Sequence, residues 1–418
     1  RSFAYESKRH TISHMKPQII SHYNSPHQFE PLMPSDAVIG PLLEQAGDLQ
    51  RAATELGAAA GVGGRRELRA LLRRMNSYYS NLIEGEHTRP SDIDRALQNH
   101  YSDNLDLARR QRLAVAHIQA EEAAEQAVDQ GLDLYATETL SWLHQQLFMH
   151  LPQADLALAD GSLLAPGQLR QTQVAVGRHE APLAHTVPAF LDRWHDTYTR
   201  VRRGEAAIVA AAAAHHRLAW IHPFADGNGR VTRLQTHLRL HQLGLTHGLW
   251  SPLRGFARTN STYKALLQAA DEHRRGDLDG RGNLTQAGLI DWVRYVLSTC
   301  QDQVQFMTRS LHVTDMKARI LAALQFEETT PSGVKTPSVL PLHYLFATQD
   351  ALSRAEFKAM TGMSDRFASG QISALLKRGF LATDSAYGPV RFAIPNHALR
   401  FYFPALWPEA EADAVLVD

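Results

Sequence analysis

The sequence predicts an all-α protein, on three observations. Apolar residues recur at helical spacing almost without interruption from about Ser35 to Met307. Extended signals are confined to a short segment around Val174 and to the end of the chain. The run EAAIVAAAAA, residues 205–214, offers only small side chains, which suits a helix packed tightly in a domain centre. It is too short, and too soon followed by His and Arg, to span a membrane. No other transmembrane run and no signal peptide is visible. At 418 residues the chain has room for two or three domains. Its 43 Lys plus Arg balance 43 Asp plus Glu, so charge gives no global pull toward nucleic acid or anionic membrane. The single Cys300 excludes an internal disulfide framework and suits a reducing cytosol, so a cytoplasmic protein is expected.

Residues 1–14, ahead of Met15, read as an added leader. The first helical pattern is SDAVIGPLLEQAGDLQRAATELG, with Ser35 or Asp36 as its cap. Gly61, Gly63 and Gly64 connect helices; no strand precedes them and no Lys-Ser/Thr follows, so they are not a phosphate loop. The next helix places Leu68, Leu71, Leu72, Met75 and Tyr79 on one face, and Gly85 stops it. Glu84 then sits in the last turn, at the negative end of the helix dipole. That position costs about 0.3–1 kcal/mol unless a cation compensates, which hints at a partner. A further helix covers NLDLARRQRLAVAHIQAEEAAEQAVDQG. Over 167–177, GQLRQTQVAVG suggests an extended stretch at Gln173, Val174, Ala175 and Val176, with a turn at Gly177.

Residues 222–233, HPFADGNGRVTR, carry the chemistry. The apolar spacing after them is helical, so Gly227, Asn228 and Gly229 lie where a loop becomes a helix. A helix start offers unpaired N–H groups and the positive end of the dipole, a ready anion site. Glycine lets the backbone approach the anion closely. Arg230 and Arg233 add guanidiniums for phosphate oxygens, and Asp226 adds a carboxylate for a metal. The fitting ligand is a nucleotide polyphosphate with Mg²⁺. His222, with an ordinary pKa of about 6.5, is the group placed to move a proton. A zinc cluster of His215, His216, His222 and Asp226 is the competing reading. Its spacing matches no standard zinc pattern and leaves Gly-Asn-Gly unexplained. His215 and His216 are expected to be structural, one facing the core and one outward.

HPFADGNGRVTR resembles the Fic signature, H-x-F-x-[D/E]-G-N-G-R-x-x-R, at every defined position. The resemblance extends over roughly residues 30–310. It implies a Fic helical core with a small β-hairpin flap, and transfer of AMP from ATP to a Ser, Thr or Tyr hydroxyl of a protein substrate. By the same resemblance His222 is the general base, and Asp226 holds Mg²⁺ between the α- and β-phosphates. Backbone N–H groups around Gly227, Asn228 and Gly229 form the anion hole, and Arg230 and Arg233 grip the β- and γ-phosphates. Ser80 to Gly85, SNLIEG, is similar to the family's inhibitory motif, [S/T]-x-x-x-E-[G/N]. Carried over, Glu84 pairs with Arg233 and keeps it from the γ-phosphate, with Ser80 and Gly85 completing the motif. Gln173, Val174, Ala175 and Val176 resemble the flap that pairs with a target's backbone. SPLRGFARTNSTYKALLQAAD resembles a segment whose Asn and Tyr lie near the adenine, here Asn260 and Tyr263. Arg254 and Arg258 are read as structural or solvated.

From about Thr314 the character changes. A helix, a Thr- and Pro-rich connector and the apolar VLPLHYLF precede two helices, one from Ser353 and one over ASGQISALLKRG. The pair FLATDSAYGPVRFAIP then turns near Tyr387. This order resembles a winged helix-turn-helix domain, which would contact DNA or dock protein, including a protein target. Ser364, Arg366, Ser369, Gln371, Lys377 and Arg391 would be its DNA-facing side chains, although Asp350, Glu356, Asp365 and Asp384 interrupt any basic stripe. The expected organisation is leader 1–14, an N-terminal helical region with the inhibitory helix 15–110, the Fic catalytic core 111–312, the winged helix 313–405 and a tail 406–418. Two function classes stay open. One is a nucleotidyltransferase restrained by Glu84, which in some relatives also removes AMP. The other is a DNA-binding regulator with the core as ATP sensor. The sequence also leaves open whether the chain forms a homodimer.

Overall fold

The computed structural model describes residues 23–61, 63–176, 179–404 and 406. The predicted leader, Gly177 and the tail beyond 406 lie outside the described residues.

The N-terminal helices are α1 (Gly40–Ala59) and α2 (Arg65–Ile83). α1 begins later than Ser35 or Asp36, and neither caps it. Ser35 O instead closes a turn by accepting from the N–H groups of Val38 and Ile39, at 3.0 and 3.1 Å. Pro41 then sits in the first turn, where a missing N–H costs nothing. After α3 (Pro90–Leu97) comes α4 (Leu105–Asp129), capped by Asn104, whose side chain accepts from the N–H groups of Asp106 and Leu107. The boundary expected between 110 and 111 falls inside α4, so the N-terminal region and the core share that helix.

The centre is built from α5 (Thr137–Phe148), a hairpin, and α6 (Val187–Tyr198), α7 (Gly204–Ile221) and α8 (Asn228–Gln242). In the hairpin β1 (Ala175–Val176) pairs antiparallel with β2 (His179–Glu180), Ala175 opposite Glu180 and Val176 opposite His179. α9 (Leu253–Arg258), α10 (Asn260–Asp271) and α11 (Gln286–Ser310) complete this part. α7 packs against α1, α6, α8 and α11. Its alanines 207 and 210–214 are buried, which is the physical use of the small-residue run. Trp194 of α6 and Trp292 of α11 donate to the carbonyls of Ala214 and Ala212, fixing α7 from two sides. Surrounded in this way, α7 buries both His215 and His216, so the expectation that one faces outward is corrected.

The C-terminal part runs α12 (Val313–Glu328), α13 (Val339–Ala347), α14 (Arg354–Thr361), α15 (Asp365–Lys377), a two-stranded ribbon of β3 (Leu381–Ala382) and β4 (Arg391–Phe392), then α16 (Asn396–Tyr402). Ser353 caps α14 in a box with Glu356. Gln371 is a correction: it is buried, its amide oxygen accepts from Lys335 N–H and its nitrogen donates to Gly333 O. Arg391 is paired with Asp384, while Ser364, Arg366 and Lys377 are exposed. This part leans on α2. Arg74 donates to Asn396 Oδ1, and Tyr79 donates to Leu406 O. No helix among the described residues is long and apolar enough to cross a membrane.

Candidate active site

α7 ends at His222, whose backbone is left-handed, with φ +52° and ψ +63°. A side chain with a Cβ is strained there by about 1–2 kcal/mol, so the neighbours must hold it. Arg170 does so. Its guanidinium donates to the carbonyls of His222 (2.8 Å), Thr172 (3.1 Å) and Pro182 (2.5 Å), and its own N–H donates to Pro223 O (2.9 Å). Arg170 is buried with only carbonyl partners, and burial lowers its pKa to about 10. His222 itself is pushed down to about 4, chiefly by burial, against a backbone hydrogen bond at Ala219 that raises it. The ring is therefore neutral near pH 7, the form that accepts a proton.

The loop between His222 and α8 is tied by its own residues. Asn228 accepts from Phe224 N–H and donates to Phe224 O, both at 2.8 Å. Its side chain is thus committed to the loop rather than turned to a ligand. Gly227 has φ +78°, and a Cβ there would strike the Phe148 ring. His144 of α5 stacks on Phe224 with ring centroids 4.1 Å apart. Gly167 N–H donates to its Nδ1 at 2.8 Å, which leaves Nε2 as the protonated nitrogen, donating to Asp226 O at 3.1 Å. The Asp226 residue itself is exposed.

α8 opens at Asn228, so its first-turn N–H groups at Asn228, Gly229 and Arg230 are those an α-helix leaves without internal partners. Asn228 and Gly229 border a cavity of about 510 Å³ whose walls also include His222, Arg233, Tyr263, His179 and Glu84. α2 ends beside it in a Schellman turn: Glu86 N–H donates to Asn81 O, Gly85 N–H to Leu82 O, and Gly85 has φ +83°. This turn sets Glu84 against α8. Arg233 Nη2 donates to Glu84 Oε1 at 2.5 Å and to Ser80 O at 3.1 Å, while Nε donates to Ser80 Oγ at 3.1 Å. Gly229 lies directly beneath, and a Cβ there would collide with the Glu84 carboxylate. Burial pushes the Glu84 carboxyl up, but Arg233 and Arg230 outweigh it and hold it below its ordinary range. Arg230 Nε donates to Asn81 Oδ1 at 3.1 Å, so both signature arginines are engaged by α2.

Tyr263 lines the cavity but is not free. Its hydroxyl donates to His215 Nε2 at 2.9 Å, and His215 Nδ1 donates to Thr236, whose own hydroxyl is donated to Thr232 O. Asn260, expected near the nucleotide base, starts α10, a turn before Tyr263. In the hairpin, Gln173 donates to Ala181 O and Ala181 N–H donates to Val174 O. His179 Nε2 donates to Trp220 O at 2.7 Å, bringing β2 to the end of α7 beside His222. Arg254 is buried and faces the Phe306 ring, a structural position. Reasoning from sequence missed Arg170, His144, His179 and the cavity-lining Lys264. Arg170, inside the segment marked as extended, and Lys264, directly after Tyr263, lay within stretches already singled out.

Residues 133–240 match the profile of the Fic/DOC family. Protein adenylyltransferase Fic of Drosophila grimshawi is 33% identical over 107 residues, which are 25% of this chain and 21% of that protein. The protein of the same name from Culex quinquefasciatus is 37% identical over 107 residues, 25% of this chain and 20% of that one. The chain thus spans about a fifth of the length of these curated relatives. Among solved structures, a Fic family protein from Desulfovibrio desulfuricans superposes with a TM-score of 0.49 at 18% identity, covering 89% of this chain and 98% of that chain.

Proposed function

We propose that this chain, which carries a Fic domain over residues 133–240, transfers AMP from ATP to a hydroxyl side chain of a protein and is held in check by its own Glu84. The observation that carries the reading is the engagement of Glu84 with Arg233 in the cavity that His222 and the start of α8 border. In the reaction the target hydroxyl oxygen bonds to the α-phosphorus and its proton passes to His222. The α–β phosphoanhydride bond breaks, and pyrophosphate leaves with the electron pair. N–H groups at the start of α8 meet phosphate charge without reorganising, because Asn228, His144 and Arg170 have fixed the loop beforehand. The exposed oxygen donor of Asp226 suits Mg²⁺, a hard cation that keeps several waters. That ion would neutralise phosphate charge as the leaving group departs. Arg233 is available to a γ-phosphate only when Glu84 releases it. The flap at Gln173, Val174, Ala175 and Val176 would align the target backbone beside His222.

A second reading uses the same site. The ionised Glu84 carboxylate, open to the cavity, is also suited to orienting a water for AMP removal. The DNA-binding reading loses ground, because Gln371 is buried and Arg391 is paired with Asp384.

The test uses wild type, Glu84→Gly, and Glu84→Gly with His222→Ala, each incubated with ATP and Mg²⁺ and read by intact mass and by labelling of lysate proteins. AMP addition in the Glu84→Gly variant alone supports transfer, base and restraint together. No AMP addition by any of the three, on itself or on lysate proteins, overturns the proposal.

A further inference from the structure

A separate cluster of titratable groups lies one helical turn past Arg233, where α8 meets α4. His237 Nε2 is 3.4 Å from Glu121 Oε1 and 3.7 Å from Glu125 Oε1. His117, a turn earlier on α4, has Nδ1 3.8 Å from Glu121 Oε2. All four residues are more than nine-tenths buried. Four of their polar atoms have no hydrogen-bond partner: both ring nitrogens of His117, Glu121 Oε2 and His237 Nδ1. Buried polar atoms are rarely left unpaired, so this concentration asks for a missing partner.

The spacing indicates what that partner is. The three separations exceed hydrogen-bond lengths of about 2.7–3.2 Å. The two from His237 Nε2, 3.4 and 3.7 Å, lie close to the edge of a tetrahedron, about 3.3–3.6 Å, drawn by metal–ligand bonds of about 2.0–2.2 Å. Glu121, Glu125 and His237 each bring a ligand atom into one group, these atoms lying within 4.8 Å of one another. Charge agrees. Glu125 Oε2 takes Arg69 and Arg73; Arg73 also bonds Glu122, and Arg69 lies 3.7 Å from Asp129. Those two guanidiniums are shared with the half-exposed Glu122 and Asp129, so the buried Glu121 and Glu125 are not fully offset by them.

We propose that Glu121, Glu125 and His237 bind one divalent transition-metal ion of the zinc class, with His117 beside Glu121. One imidazole and two carboxylates suit such an ion, with the fourth position left to water. Asn76 of α2 donates to Glu121 Oε1 at 2.7 Å, so the ion would brace α4, α8 and the helix that presents Glu84.

The full chain, stripped with a strong chelator, is titrated with Co²⁺ and followed by visible absorption, then challenged with Zn²⁺. Glu121→Gln and His237→Gln are titrated alongside, with circular dichroism to check folding. The expected result is one equivalent of Co²⁺ with the intense band of a four-coordinate site, bleached by Zn²⁺. Affinity should fall about tenfold or more in each variant. A wild type with no saturable one-equivalent site, or with only the weak spectrum of a six-coordinate ion on surface histidines, overturns the proposal. So does undiminished binding in both folded variants. Should the variants fail to fold, the wild-type spectrum and stoichiometry decide.

Discussion

Arg233 Nη2 donates to the Glu84 carboxylate at 2.5 Å, joining residues 149 positions apart. The same guanidinium donates to Ser80 Oγ through Nε and to Ser80 O through Nη2, so three contacts from one helix end engage it. Each contact should therefore contribute to the restraint, and Glu84 should not act alone.

Ser80→Ala removes one acceptor and leaves the others. With a hydrogen bond worth about 1 kcal/mol, release of Arg233 should raise AMP transfer about fivefold. The gain should be smaller than that of Glu84→Gly. Initial rates of labelling on the wild type and the two single variants check this order. Equal rates for wild type and Ser80→Ala would remove Ser80 from the restraint.

His222 has its pKa lowered to about 4, burial being the main cause, and His215 is lowered well below its ordinary value for the same reason. In the Glu84→Gly variant the base should stay neutral, so kcat/KM should hold from pH 8 to about 5 and fall only as pH approaches 4. An inflection near 6.5 would contradict the buried placement. Stability follows with a definite sign. Each ring favours its neutral form when folded, so its contribution is full above the unfolded pKa of about 6.5 and is lost as pH falls below it. The limiting slope is about 1.4 kcal/mol per pH unit per group. Urea midpoints at pH 7 and pH 5 should differ in that direction.

Arg170→Ala withdraws the donors from the carbonyls of His222, Thr172 and Pro182. Orphaned carbonyls should cost about 1–3 kcal/mol of stability. Because His222 is strained and held from this side, transfer by the Glu84→Gly variant should drop far more than its affinity for ATP. A drop confined to ATP affinity would show that Arg170 does not position the base.

Gly227→Ala places a Cβ at φ +78° and against the Phe148 ring. The backbone alone should cost about 1–2 kcal/mol. The contact with Phe148 should add to it, lowering the urea midpoint and blunting nucleotide binding at the start of α8. Isothermal titration of ATP into the Glu84→Gly background reads the second effect.

Much of this molecule was legible in the chain, and the reason differs by element. The stop of α2 at Gly85 and the loop-to-helix turn at Gly227 were readable because each depends on the backbone freedom of a residue at that spot. The central helix was readable from its alanines, because only small side chains permit close packing on all sides. The start of α1 was misread, since Ser35 closes a turn of its own before Pro41 sets the helix. That one of His215 and His216 faces outward, and that Gln371 does, was misread because polarity suggests exposure, whereas hydrogen bonds to Thr236, Tyr263 and Leu267 O, and to Lys335 N–H and Gly333 O, permit burial.

The sequence by itself determined the helical architecture, the loop-to-helix turn at Gly227 and the identity of the groups beside it. These depend on neighbours within a few residues, where spacing fixes direction. Only the tertiary structure decided that Arg170 and His144 hold that turn, that Arg233 is gripped by Glu84 and Ser80, and that His117, Glu121, Glu125 and His237 converge. Those contacts join helices far apart in the chain, and which side chains meet is set by how the apolar faces pack, information that no local pattern carries.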